Sequence, residues 1–156
     1  MIGQPTFVDG AGIAAVGDVV VSVHRRSLTA ASLDAFDEVS ARVTSPDYCT
    51  FSVYRLERVR RDDFADDTVR KRIVAMGHNP RLRRGIAVLD GAGLANAGVR
   101  LALAGVLMLL PGRRSLDSAA SIDEGLAALQ SSTKTDPAAI RAVLDQLIAT
   151  VWAPGS

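Results

Sequence analysis

The sequence predicts an α/β fold with a mixed central sheet of about five strands, flanking helices and one further helix at the C-terminus. Short β-branched or apolar runs alternate along the chain with longer amphipathic segments, a pattern typical of α/β layer folds with right-handed crossovers. Apolar residues make up 48% of the chain and charged residues 22%, which excludes wholesale disorder. A chain of 156 residues fits a single domain.

The first elements are predicted to be a hairpin, a helix and a strand. Residues 6–15 and 18–24 have the β-branched and apolar content of strands, and Gly17 lies in the turn between them. Residues 30–43 carry apolar side chains at helical spacing, with Thr29 as the N-cap. Aromatic and β-branched content predicts the next strand over residues 48–54.

Residues 55–84 are the most basic part of the chain, with ten basic and five acidic side chains. A helix over residues 63–76 accounts for part of this charge, because acids near its start and bases near its end favour the helix dipole. One interpretation is a solvated face whose charges pair with one another. The other is a site for an anionic ligand or an acidic partner, since guanidinium groups bind carboxylate and phosphate through two hydrogen bonds. The candidate residues are Arg58, Arg60, Arg61, Arg81, Arg83 and Arg84.

A second candidate anion site lies at a glycine-rich turn. The apolar run 85–89 predicts a strand, and the turn formed by Asp90, Gly91 and Gly93 with Ala92 leads into a long apolar segment. Backbone N–H groups at the start of a helix attract anions. The turn matches no full phosphate-binding motif. The alternative is a structural turn in which Asp90 caps the following helix.

Residues 94–110 predict a buried helix that is apolar almost all round. A membrane span is the competing interpretation, but Asn96 and Arg100 lie within the segment, and a charge near the bilayer centre is unfavourable. We therefore predict no membrane span. A strand over residues 113–116 and a helix over 121–130 are predicted to follow, the helix capped by Ser121.

The C-terminal region predicts an appended helix. Residues 131–135 form a polar connector, and Asp136 and Pro137 have the N-cap and first-turn positions of a helix over residues 136–152. Its apolar stripe needs a partner, which is either the rest of the chain or a second subunit. Self-association as a homo-oligomer is therefore one expectation.

Several classes of function are disfavoured. His24 and His78 have no ligands at metal spacing, and Ser27, Ser115 and Ser121 lack a nucleophile-elbow context, so we predict no metal, no cofactor and no enzyme activity. A net charge of +1 with 4% aromatic residues disfavours nucleic acid. The single Cys49 suits core packing in a reducing compartment, and the N-terminus has no signal-peptide pattern, so a cytoplasmic location is predicted.

Three stretches carry a resemblance to a known family. They are residues 17–29, residues 84–89 with the glycine-rich turn, and residues 118–126. Over residues 5–130, the chain resembles the small bacterial STAS domains, also described as STAS/SEC14-like and related to anti-sigma-factor antagonists. The resemblance implies a domain that binds a protein, a nucleotide or a lipid-like ligand. The position of the family's phosphorylation switch corresponds to residues 56–63, which contain no Ser or Thr.

Together these observations predict a cytoplasmic, non-catalytic bacterial domain that acts as a protein-binding regulatory or assembly module. The alternative function is a carrier or sensor of a small apolar or anionic ligand, either lipid-like or a nucleotide, held between the 94–110 helix and the sheet with arginines at the mouth of the site.

Overall fold

Helices and strands alternate through the described part of the chain. The computed structural model describes residues 3–25, 28–55, 66–90 and 116–154. The strands are β1 (Thr6–Val8), β2 (Ala11–Val16), β3 (Val19–His24), β4 (Tyr48–Arg55), β5 (Leu82–Asp90) and β6 (Leu116–Ala119). The helices are α1 (Ala30–Ala41), α2 (Asp67–Gly77), α3 (Ile122–Leu129) and α4 (Pro137–Val151).

The strands form one mixed sheet of six strands in the order β1-β2-β3-β4-β5-β6. The pairs β1·β2 and β2·β3 are antiparallel, whereas β3·β4, β4·β5 and β5·β6 are parallel. Parallel neighbours need a crossover, and α1 and α2 supply the crossovers from β3 to β4 and from β4 to β5. The predicted α/β fold class with an additional C-terminal helix is therefore confirmed.

The prediction of one strand over residues 6–15 is wrong, because a tight turn divides it. Asp9 and Gly10 both have positive φ, at 48° and 73°, and join β1 to β2 as a two-residue hairpin loop. Positive φ at both loop positions is the conformation that Asp-Gly pairs favour, since it matches the twist of the flanking strands. The turn at Gly17 was predicted correctly, and its φ is 57°.

The helix caps follow the sequence closely. Thr29 caps α1 by accepting from the Ser32 N–H at 3.1 Å, and its hydroxyl donates to Asp9 Oδ2 at 2.8 Å. The predicted end at residue 43 is two residues too late, because α1 ends at Ala41. Asp66 caps α2, which begins at Asp67. The predicted start at residue 63 lies among residues that the structure does not describe.

The two last strands differ in extent from their predictions. β5 spans nine residues, four more than the predicted run 85–89. β6 begins at Leu116, where the predicted strand 113–116 was expected to end. Pairing explains the position of β6, because Leu116 lies opposite Gly85 and Ala119 opposite Val88 in the parallel ladder.

One face of the sheet, here called the core face, is covered by α3 and α4. Strand side chains such as Val21, Phe51 and Val88 share one buried apolar cluster there with Leu129 of α3. The apolar stripe of α4 completes this core through Ile140, Val143, Leu144, Leu147 and Val151. The C-terminal helix therefore packs on the sheet of its own chain.

The opposite face, here called the cavity face, is covered by α1 and α2. Phe36 and Val39 of α1 pack against Ile13 and Val20 of the hairpin strands, with Met76 of α2 beside them. α1 buries six of its side chains, whereas Val69 is the single buried residue of α2. The two helices thus cover the cavity face unequally, and a cavity remains between them and the sheet.

Some predictions fall outside the described residues. These are the 94–110 helix, most of the glycine-rich turn, with Gly91 and Gly93, and part of the basic segment, with Arg58, Arg60 and Arg61. Among the helices that the structure does describe, none has the length and apolar character needed to cross a membrane.

Candidate functional site

Polar side chains line the cavity face of two central strands. Ser22 and His24 on β3 lie opposite Ser52 and Tyr54 on β4, because the parallel register pairs 22 with 52 and 24 with 54. Thr50 precedes them on the same face of β4. Central parallel strands covered on both sides are normally continuous apolar runs, so this polar row is the unexpected feature of the sheet.

The side chains of the row are joined by hydrogen bonds. Ser22 Oγ donates to Ser52 Oγ at 2.8 Å, and His24 Nε2 lies 2.9 Å from Ser22 Oγ. The His24 and Tyr54 rings stack with centroids 4.8 Å apart and planes 12° apart. A side-chain hydrogen bond also links Ser52 with Tyr54. Ser22, His24, Ser52 and Tyr54 therefore each have a hydrogen-bond partner, which offsets the cost of their desolvation.

Burial keeps both rings of the row uncharged at neutral pH. Desolvation lowers the pKa of His24 to about 4, because the imidazolium form loses its hydration. Desolvation also raises the pKa of Tyr54 to about 12, and its hydrogen bond with Ser52 offsets only part of that effect. The row is thus a neutral hydrogen-bonding surface.

The cavity has a volume of about 90 Å³, with the polar row as its floor. His24, Thr50, Ser52 and Tyr54 form this floor, and Tyr48 lies beside them. The walls are mostly apolar side chains from both helices and from the strands β5 and β6, together with Leu28 before α1 and the hydroxyl of Ser32. The apolar side chains include Leu33, Phe36, Ile73, Met76, Leu82, Ala87 and Leu116. Apolar walls with a few convergent polar groups are typical of small-molecule sites.

Ser22 and His24 lie in contact, but they do not form an accessible nucleophilic site. A hydroxyl beside an imidazole nitrogen is the pairing that activates a serine. However, Ser22 is fully buried, at 0% exposure, and does not line the cavity, so its hydroxyl is inaccessible to a bound molecule. The geometry instead fits a buried hydrogen-bond network. Within the residues that the structure describes, no group of three or more His, Cys, Asp or Glu side chains is placed to hold a metal ion.

The described basic residues of the predicted ligand site, Arg81, Arg83 and Arg84, lie outside the cavity and have intramolecular partners. The guanidinium of Arg81 donates to the backbone oxygens of Val43 and Ser45, at 2.8 and 2.9 Å, and lies over the Tyr48 ring. Arg84 pairs with Asp117 of β6 at 2.7 Å. These contacts support the interpretation of a self-paired face for this part of the basic segment.

Arg83 belongs to a network around Asp18 in the turn between β2 and β3. Its Nη2 lies 2.5 Å from Asp18 Oδ2, and its Nη1 lies 3.0 Å from Asp47 Oδ1. Burial alone would raise the pKa of Asp18, but hydrogen bonds from Thr133, Thr135, the backbone N–H of residue 134 and Arg83 hold that pKa at about 2. The network ties the polar connector 131–135 to the hairpin turn.

The predicted residues do not form one constellation. Arg83 and Arg84 lie near the start of β5, whereas Asp90 is the last residue of the same strand. None of the described candidates, Arg81, Arg83, Arg84 and Asp90, lines the cavity. As a binding site for an anion or a partner, this set remains a prediction.

Sequence reasoning did not identify the cavity. His24 was weighed only as a metal ligand, and the serines on the cavity face were not considered. The available signal was polar residues at alternate positions of strands that are otherwise apolar, namely 22 and 24 on one strand and 50, 52 and 54 on the other. Cys49 was predicted to fill the core, and it is buried in the core face.

Comparison with known proteins gives no family for this chain. No protein-family model matches the sequence, and searches of curated proteins and of solved structures found no match. The resemblance to STAS/SEC14-like domains therefore remains a prediction.

Proposed function

We propose that this protein is a non-catalytic domain that binds a small ligand in the cavity between α1, α2 and the sheet. The observation that carries this proposal is the polar row on the floor of an otherwise apolar cavity. A purely structural core would fill this space with apolar side chains, because buried hydroxyls stabilise a fold less than packed hydrocarbon does. This proposal keeps the carrier or sensor function that the sequence offers as its alternative, but at a different site, because the helix over residues 94–110 expected to cover the ligand lies outside the described residues.

The cavity extends along the central strands beneath α1 and α2. His24 is the last residue of β3 and Tyr54 the penultimate residue of β4, whereas Tyr48, Leu82 and Leu116 are the first residues of their strands. The support for a ligand therefore comes from the mixed polar and apolar lining of this space.

A fragment titration followed by ¹H–¹⁵N NMR tests the proposal. We expect some small organic fragments to shift the amide signals of Thr50 and Ser52 in a saturable manner. Ala87→Leu adds a branched side chain to the cavity wall opposite Ser52 and should abolish these shifts. Ala31→Leu places the same side chain on the exposed surface of α1 and serves as the matched control.

Two results would argue against ligand binding. One is a complete absence of saturable shifts at the cavity for every fragment. The other is unchanged binding in Ala87→Leu when the variant has a well-dispersed spectrum, because a filled cavity cannot accept the same fragments.

The protein-binding or assembly function remains a separate prediction. It rests partly on the apolar stripe of the C-terminal helix, for which the sequence left both the same chain and a second subunit open as partners, and that stripe is buried against the sheet of the same chain. The other apolar segment, residues 94–110, lies outside the described residues. The predicted cytoplasmic location and homo-oligomeric state likewise remain predictions.

A further inference from the structure

The cavity lining, as far as the structure describes it, contains no carboxylate, ammonium or guanidinium group. His24 is its single residue that could carry a positive charge, and burial favours the neutral imidazole. The polar atoms facing the cavity are therefore hydroxyl groups and one neutral ring.

This lining discriminates strongly between charged and uncharged molecules. A carboxylate or phosphate entering the cavity would lose its hydration without meeting a cation, and an ammonium group would lose hydration without meeting an anion. Moving an unpaired charge out of water is far more costly than moving a hydroxyl or carbonyl that gains a hydrogen bond. Arg81, Arg83 and Arg84 do not supply the missing charge, because their guanidinium groups bond to partners outside the cavity.

The floor is suited to a single neutral polar group. Hydroxyls both donate and accept hydrogen bonds, so Thr50, Ser52 and Tyr54 can face an alcohol or a carbonyl with little rearrangement. The walls are formed mainly by apolar side chains such as Phe36 and Met76, and the one wall hydroxyl, that of Ser32, is bonded to the Thr29 backbone.

Cavity size limits the part of the ligand that is enclosed. The volume of about 90 Å³ is smaller than the roughly 150 Å³ of an apolar cavity that holds benzene. By that scale, about four non-hydrogen atoms fit inside, and the remainder of a larger ligand would extend past the helices.

We infer that the enclosed part of the ligand is uncharged and largely apolar and directs a hydroxyl or carbonyl group towards the polar row. This inference depends on the proposed function and specifies the chemistry of the group that the cavity accepts. It argues against insertion of a carboxylate or phosphate group into the cavity, and thus against the anionic mode of binding that the sequence left open.

The inference can be tested with three probes of nearly equal size: 1-butanol, butanoate and butylammonium. Each is titrated at pH 7.5 into the full-length chain, and the amide signals of residues 22–24 and 50–54 are followed by NMR. We expect 1-butanol to give saturable shifts, and both ions to bind at least about tenfold more weakly. Ala87→Leu should lose the butanol shifts, and Ala31→Leu should retain them.

The possible results distinguish an error in the ligand class from an error in the proposed ligand binding. If butanoate or butylammonium shifts the same amides with an affinity equal to or above that of 1-butanol, the ligand class is overturned while ligand binding stands. If none of the three probes shifts these amides and the fragment panel also fails, both the ligand class and the proposed function are overturned.

Discussion

At the scale of single residues, His24 shows how position changes the meaning of a side chain. In the sequence it is a histidine at the end of a β-branched run, without ligands at metal spacing. In the structure it is 3% exposed, stacked on Tyr54 and hydrogen-bonded to Ser22. Because burial disfavours the charged imidazolium, protonation of His24 opposes folding, and the stability of the chain should depend on pH.

We predict that the chain loses stability as the pH falls from about 6.5 towards 4. The pKa of His24 is about 4 in the folded chain against 6.5 for an unperturbed histidine, so between these values the unfolded chain binds a proton that the folded chain does not. The stabilisation is complete above the upper value and decreases below it. By this linkage, unfolding at pH 5 should require about 2 kcal/mol less than at pH 7.5.

Urea denaturation at the two pH values measures this effect. His24→Phe retains a ring for stacking and removes the titrating group, so it should reduce the difference between pH 5 and pH 7.5, whatever its effect on stability at neutral pH. His78→Gln removes the other imidazole from an exposed helix end and is the matched control. An unchanged pH difference in His24→Phe would show that another group is responsible.

At the scale of elements, the local sequence predicts where helices start better than it predicts how strands pair. Thr29, Ser121 and Asp136 were identified as N-caps, and each accepts a backbone N–H at the start of its helix. Capping depends on residues within one turn, so the sequence contains the information. The position of β6 depends instead on its ladder with β5, about thirty residues earlier.

A polar bridge joins α2 to α1. Arg72 donates to Asp34 and Asp37 of α1 at 2.8 Å each, and also to the backbone oxygen of Ala30 at 3.2 Å. The aspartates are 71% and 58% exposed, so each ion pair is weak by itself. Because Val69 is the single buried residue of α2, the bridge adds to the limited apolar contact that the helix makes through side chains such as Met76.

We predict that Arg72→Ala loosens α2 with a small loss of global stability. Amides within α2 should exchange with deuterium several-fold faster, while the free energy of unfolding falls by about 1 kcal/mol or less. Arg70→Ala is the matched control, since Arg70 pairs with Asp67 within α2 itself. Equal acceleration in both variants would indicate that loss of an arginine, and not loss of the bridge, loosens the helix.

At the scale of the whole molecule, the fold class could be predicted and the cavity could not. Alternating strands and helices limit the chain to an α/β layer fold, and this needs no knowledge of register. The polar row exists because residues thirty positions apart pair, 22 with 52 and 24 with 54. A one-residue change of register would send alternate side chains to the other face, so no local pattern determines the site.

The C-terminal helix gives the sharpest prediction at this scale. We expect a chain that ends at Ser132 to lose its cooperative fold, because α4 supplies five side chains to the core face and the connector binds Asp18 through Thr133 and Thr135. Burying five aliphatic side chains contributes roughly 8–15 kcal/mol, which equals the whole stability of a typical domain.

Circular dichroism melting and light scattering coupled to size exclusion measure the outcome. A chain ending at Ala153 retains α4 and should unfold cooperatively like the full chain, whereas the chain ending at Ser132 should show no cooperative transition and should aggregate. A folded, monomeric chain ending at Ser132 would show that α4 is dispensable for the fold and would return it to the role of an assembly element. The mass of the full chain in the same experiment tests the predicted homo-oligomer directly. Burial of the α4 stripe within its own chain removes one reason to expect self-association.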